Sequence, residues 1–214
     1  MADIFDEVTE ELRQDQLKGL WKKYNKFIFI TIIFVGLFIG AFKFYEYRNN
    51  IISVENVNLF LNSLDDVKNN KLEEAEEKLL KIKTQADAGL ITLSLFALAD
   101  ISKKREDEER MQEFYNLIIN NEEIDSFHKN LAIFYSTKNS NKLSASEKIK
   151  RLEPILTSPN ELQTVGAELE VLYLLNDQKN VLAMQKLENL MKQKSLNLNQ
   201  RNRLDIIKEI YKDQ

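Results

Sequence analysis

The sequence predicts an all-α protein: an N-terminal amphipathic helix, one transmembrane helix, then a stack of about four helical hairpins with a C-terminal capping helix. Three observations predict it. Only two prolines and five glycines occur in 214 residues, and so few breakers favour long helices over a strand-rich fold with tight turns. One run, Phe27 to Phe42, is apolar or nearly so over sixteen residues between Lys26 and Lys43. Beyond residue 50 the apolar positions keep helical spacing in pairs of segments that recur along the chain.

Composition narrows the function classes. Charged residues make up 30% of the chain and the net charge is −4. That balance excludes the basic face of a nucleic-acid binder, so no nucleic acid is expected as a partner. The chain has no cysteine, which removes disulfides, thiolate zinc sites and iron–sulfur clusters.

The domain boundaries follow from the apolar run: a cytoplasmic amphipathic juxtamembrane helix over 1–26, a transmembrane helix over 27–45, and a repeat domain over 46–214. Sixteen helical residues rise about 24 Å, against a bilayer core of about 30 Å. The span reaches Tyr45 if the long stem of Lys43 lets its ammonium snorkel. Trp21, Lys22, Lys23, Tyr24 and Lys26 on one side, with Lys43, Tyr45 and Arg48 on the other, are the rings and cations expected at membrane interfaces. A soluble core helix would keep a polar stripe, and only Thr31 interrupts this run. A cleaved signal would end at small residues, whereas this run exits through "GAFKFYEYR". Residues 7–26 hold five Lys and Arg, against two in residues 43–62, so the N-terminus is expected in the cytoplasm. Gly36 and Gly40 form a G-x-x-x-G pair, a candidate packing face for another membrane helix, whether a partner's or a second copy's.

Before the span, Ile4, Val8 and Leu12, then Leu17, Leu20, Trp21 and Tyr24, keep helical spacing. Acids crowd the first half of that segment and bases the second, which complements the helix dipole and draws the basic end to anionic headgroups.

After the span, Val54, Val57, Phe60, Leu61, Leu64 and Val67 mark a first helix, broken by Asn69 and Asn70. Leu72, Ala75, Leu79 and Ile82 mark a second. Asp87 is placed to cap a third, apolar nearly all round from Ala88 to Ile101 and therefore expected to be buried on several sides. Met111, Phe114, Tyr115 and Ile118 mark a fourth, and Phe127, Leu131, Phe134 and Tyr135 a fifth. Ser144 with Glu147 reads as a capping box for a sixth, which Pro154 should end or kink near residues 151–153. Ser158, Pro159 and Glu161 read as the start of a seventh with Leu162, Val165, Leu169 and Leu172 as its apolar stripe. Met184, Leu187 and Met191 mark an eighth; Leu204, Ile207 and Tyr211 mark a ninth, the cap.

The pairs start near residues 54, 88, 125 and 160, at spacings of 34, 37 and 35. Two helices in a period near 34 is the tetratricopeptide pattern. "NNKLEEAEEKLLKI" fits the second helix of such a unit, with Ala75 at its small packing position and Ser63 at that of the first helix. No unit carries the full Trp-Leu-Gly-Tyr signature.

No residue pattern points to catalysis or to a cofactor. The one histidine, His128, cannot by itself form a metal site. "EEAEEK" and "REDEER" pair opposite charges at helical distances, as a solvated face does. The reading is a binding protein, since helical repeats present an extended surface to peptides or partner domains.

The segments "ELRQDQLKGLWKKYNKFI" and "YEYRNN", with the order short helix, span, periodic helices, resemble the alphaproteobacterial members of the YfgM-like family of ancillary SecYEG translocon subunits. The resemblance implies an inner-membrane protein with periplasmic repeats. Its implied partners are the SecYEG translocon, periplasmic chaperones and client polypeptides. A repeat scaffold for cell-envelope or cell-division assembly is the alternative that the same residues allow.

Overall fold

Asn70, Glu106 and Gln178 share a left-handed backbone, with φ of 60°, 60° and 57°, and they set the architecture. They lie 36 and 72 residues apart, one and two repeats. At each, the chain leaves one helix and enters the next through the same pair of bonds. Asn70 N–H donates to Val67 O and Lys71 N–H to Asp66 O; Glu106 N–H donates to Lys103 O and Asp107 N–H to Ser102 O; Gln178 N–H donates to Leu175 O and Lys179 N–H to Leu174 O. This is the Schellman termination, with a side chain standing where glycine is usual.

The structure, a computed structural model, describes residues 34–48, 51–82, 86–193 and 196–211. The expected helix over 1–26, with Trp21, Lys22, Lys23, Tyr24 and Lys26, lies outside the described residues, as do residues 27–33 of the expected span. The chain divides into two units, Met1–Val54 and Glu55–Gln214. In the first, residues 34–48 are helical. Among the described residues no helix is long and apolar enough to cross a membrane.

The second unit is all helix and turn among its described residues. It begins in the helical stretch 51–68, here α1, and continues with α2 Leu72–Ile82, α3 Ala88–Lys104, α4 Glu108–Asn120, α5 Ser126–Lys138, α6 Ala145–Thr157, α7 Gln163–Asn176, α8 Asn180–Met191 and α9 Leu198–Tyr211. From α2 onward each helix packs mainly on its neighbours in sequence, a succession of helical hairpins. The second helices start at residues 72, 108, 145 and 180, spacings of 36, 37 and 35. The period is therefore about two residues longer than the 34 of a tetratricopeptide unit.

The apolar stripes explain the packing for most helices. Ala75, Leu79 and Ile82 of α2, Leu95, Leu98 and Ile101 of α3, and Met111, Phe114 and Ile118 of α4 are all buried and share one core with Ala132 of α5. Val171, Leu174, Leu187, Leu190 and Leu204 form a second core across α7, α8 and α9. The caps fall where the sequence puts them: Asp87 accepts from Leu90 N–H, and Ser144 with Glu147 closes a full capping box.

The expectations for three helices are corrected. In α5, Phe127 and Tyr135 face solvent while Ala132, Ser136 and Thr137 are buried; small residues let the helix approach closely, which the aromatic stripe would prevent. Helix α6 does not end at residues 151–153 but runs through Pro154 to Thr157. The proline sits in the last turn, and Lys150, whose carbonyl loses its N–H partner, is exposed to water. Helix α7 starts at Gln163, not after Ser158, because Asn160 takes over the turn: its Oδ1 accepts from Leu162 N–H and its Nδ2 donates to Ile155 O. The buried face of α7 is Gly166, Glu170, Val171, Leu174 and Leu175, and Leu172 is exposed. Gly166 turns the helix this way, since a Cβ there would lie 2.9 Å from Ile155 Cγ2 of α6.

A non-glycine residue at positive φ costs about 1 kcal/mol. Gln178→Gly should therefore raise the unfolding free energy by about 0.5–1 kcal/mol after glycine's extra unfolded-state entropy is allowed for. Chemical denaturation checks this; an unchanged or lower midpoint would mean that the turn is not left-handed.

Candidate functional site

Two features stand out from the helical framework: the exposed apolar helix of the first unit, and a groove on α4 in the second. In the first, Phe34, Val35, Leu37, Phe38, Ile39, Phe42, Phe44 and Tyr47 are each more than half exposed, and at about 100° per residue they fall all round one helix. Gly36 and Gly40 lie in this helix with open space where a Cβ would stand. Lys43 Nζ pairs with Glu46 Oε2 at 2.7 Å, and Tyr45 is 67% exposed. Arg48 is the last described residue of this helical stretch and is also exposed. Of the sequence-predicted site residues, the structure thus brings Gly36, Gly40, Lys43, Tyr45 and Arg48 onto one exposed helix.

The groove arises from an irregularity in the third hairpin. The position one repeat beyond Glu106 is Lys142, and the α5–α6 connection there has no left-handed residue among those described. Glu108, at the start of α4, holds this connection instead. Its Oε1 accepts from Ser140 Oγ at 2.6 Å, and its carboxylate accepts the backbone N–H groups of Asn141 and Lys142 at 3.1–3.2 Å. These bonds, Ser140's foremost, hold the Glu108 carboxyl below its ordinary value against the opposing effect of burial.

Pinning the connection beside α4 leaves a cavity of about 870 Å³ between α4, the connection and α6. That volume lies within the range of ligand-sized clefts. Its floor on α4 carries Gln112, Asn116 and Asn120 at four-residue spacing, hence on one helix face. Gln112 Nε2 donates to Ser136 O at 2.7 Å, a carbonyl in the last turn of α5. Its Oε1 is buried and has no hydrogen-bond partner. Asn116 Oδ1 accepts from Arg151 Nη2 at 3.3 Å. Burial pushes the Arg151 guanidinium down from its ordinary value, and no carboxylate pairs with it among the described residues. Leu117 and Leu143 supply apolar surface, and Glu109 and Glu113 supply negative charge.

The groove does not show in the sequence, because carboxamides and acids on α4 look like a solvated face. The signal was the i, i+4, i+8 spacing of Gln112, Asn116 and Asn120. His128 sits in the first turn of α5 with Nδ1 2.6 Å from Oδ2 of the capping Asp125, a local helix-start contact. Among the described residues no group of three or more metal-ligating side chains comes together. No family model, curated protein or solved structure matches the chain.

Because the folded state lowers the Glu108 pKa, its stabilising effect is present above the ordinary carboxyl range and is lost as pH falls through the folded value. Glu108→Gln should cost about 1 kcal/mol at neutral pH. The parent should then lose stability more steeply than the variant from about pH 5 downward. Thermal melts of both proteins across that range check this, and parallel curves would contradict it.

Proposed function

We propose that this chain is a membrane-anchored, tetratricopeptide-like adaptor with no enzymatic activity. The observation that carries the reading is the helix over 34–48, whose large apolar side chains are exposed on successive faces rather than gathered on one. Water does not favour such a surface and a bilayer does. The anchor spans residues 27–45 of the inner membrane, with residues 1–26 in the cytoplasm and the repeat domain over 46–214 in the periplasm, in keeping with the five-to-two bias of basic residues.

Within that frame the protein acts as an ancillary subunit of the Sec translocon and helps pass translocated polypeptides to periplasmic chaperones. The resemblance of "ELRQDQLKGLWKKYNKFI" and of the feature order supports the translocon. The succession of hairpins and the α4 groove support a polypeptide as the thing held. Gly36 and Gly40 offer a close-packing face to a translocon helix or to a second copy.

Protease added to spheroplasts should remove residues 50–214 and leave a short membrane-protected fragment. Full protection of the repeat domain would overturn the topology. Affinity purification in mild detergent should recover translocon subunits; recovery of wall synthases without them would favour the envelope scaffold.

A further inference from the structure

The α4 groove has a geometry that matches a polypeptide backbone. Gln112, Asn116 and Asn120 follow one another by four residues along α4, so their carboxamides repeat about every 6 Å along the helix axis. An extended chain repeats its outward-facing N–H and C=O groups every two residues, about 6.6–6.8 Å. A carboxamide both donates and accepts: Gln112 and Asn116 each spend part of that capacity inside the protein, on Ser136 O and on Arg151, and their remaining donors and acceptors, with those of Asn120, suit such N–H and C=O groups. The three together span about 12 Å, the length of roughly four extended residues.

Two groups in the groove lack what a backbone supplies. Gln112 Oε1 is a buried acceptor with no donor, which costs about 1–3 kcal/mol while it stays unfilled. Its amide nitrogen is held by Ser136 O, so a donor that fills the oxygen must do so with that bond in place, since turning the amide would break it. Arg151 is partly desolvated, and among the described residues only Asn116 bonds it. Its remaining N–H groups suit peptide carbonyls. An inorganic anion would satisfy Arg151 and leave Gln112 Oε1 unfilled; a backbone answers both.

The walls select side chains. Leu117 and Leu143 offer apolar contact on the groove. Glu109 and Glu113 line it without an ion-pair partner among the described residues, so basic side chains are favoured beside them. We propose that the groove binds an extended polypeptide segment through its main chain, with preference for segments in which apolar and basic residues alternate. Alternation places apolar side chains on one side of an extended segment and basic ones on the other. This deepens the adaptor reading and rests on it only in taking a polypeptide as the client; the anchor and the translocon are separate matters.

The test uses the full chain in lipid nanodiscs and a fluorescein-labelled ten-residue peptide of alternating valine and lysine, read by anisotropy. Asn116→Ala with Asn120→Ala should weaken binding about tenfold. Asn120→Ala alone should weaken it by a smaller factor with an unchanged melting curve, since its side chain is exposed and holds no other element. A peptide N-methylated at alternate residues should bind about tenfold more weakly than its parent, and a valine–glutamate peptide more weakly still. If the parent protein binds the peptide but neither the asparagine variants nor N-methylation changes the affinity, the groove proposal fails and the adaptor reading stands. If the parent binds no extended peptide of either charge, both fail.

Discussion

One constraint organises the molecule: every helix pair is fixed to the next at a separation of about one repeat along the chain. The left-handed turns at Asn70, Glu106 and Gln178 recur at one and at two such lengths, 36 and 72 residues. Side-chain bonds then join equivalent regions of successive pairs. Glu76 meets Arg110, Lys103 meets Asn139, Asn116 meets Arg151, Thr137 O meets Tyr173 OH, and Glu168 holds Arg203 with two bonds of 2.8 Å. These partners lie 34 to 36 residues apart. In a repeat array each unit is stabilised only by its neighbours. Polar bonds of this length therefore do more than decorate the surface, because they set the angle and register between units while the two apolar cores supply most of the free energy.

The groove sits where this rule is relaxed. In three hairpins a left-handed residue closes the turn, and in the third the connection is longer and is drawn to Glu108 of the preceding pair. A locally irregular element held by a conspicuous polar anchor is where function departs from the demands of stability. Glu170 shows the contrasting use of a buried acid. It is 7% exposed and paired with Lys186 at 2.6 Å, a bond that joins α7 to α8 and needs no ligand to be satisfied.

How much was legible in the sequence depended on whether apolar periodicity decided the packing. For α2, α3 and α4 it did, and Ala75, Leu79, Leu98, Met111 and Phe114 are buried as their spacing requires. The caps at Asp87 and Ser144 were legible because they are local and depend on three or four residues. In α5 and α7 the closest approach is made by small residues, Ala132, Ser136 and Gly166, so size inverted the pattern and left Phe127, Tyr135 and Leu172 outside. Pro154 was misread because a proline in the last turn frees only a carbonyl that solvent can reach. The groove was illegible for a different reason: it is made by Glu108 and a connection 32 residues away, and neither has a local signature.

The most direct test of the repeat register is the coupling between Glu76 and Arg110, one period apart and on different hairpins. Glu76 is nearly buried, with a side chain 11% exposed, so solvent screens the pair only partly. A double-mutant cycle with Glu76→Gln and Arg110→Gln, leaving Arg105 as the other partner of Glu76, should return a coupling of about 0.5–3 kcal/mol in unfolding free energy. Additive effects, within about 0.3 kcal/mol, would mean that the bond does not tie one repeat to the next, and the account of the register would fail.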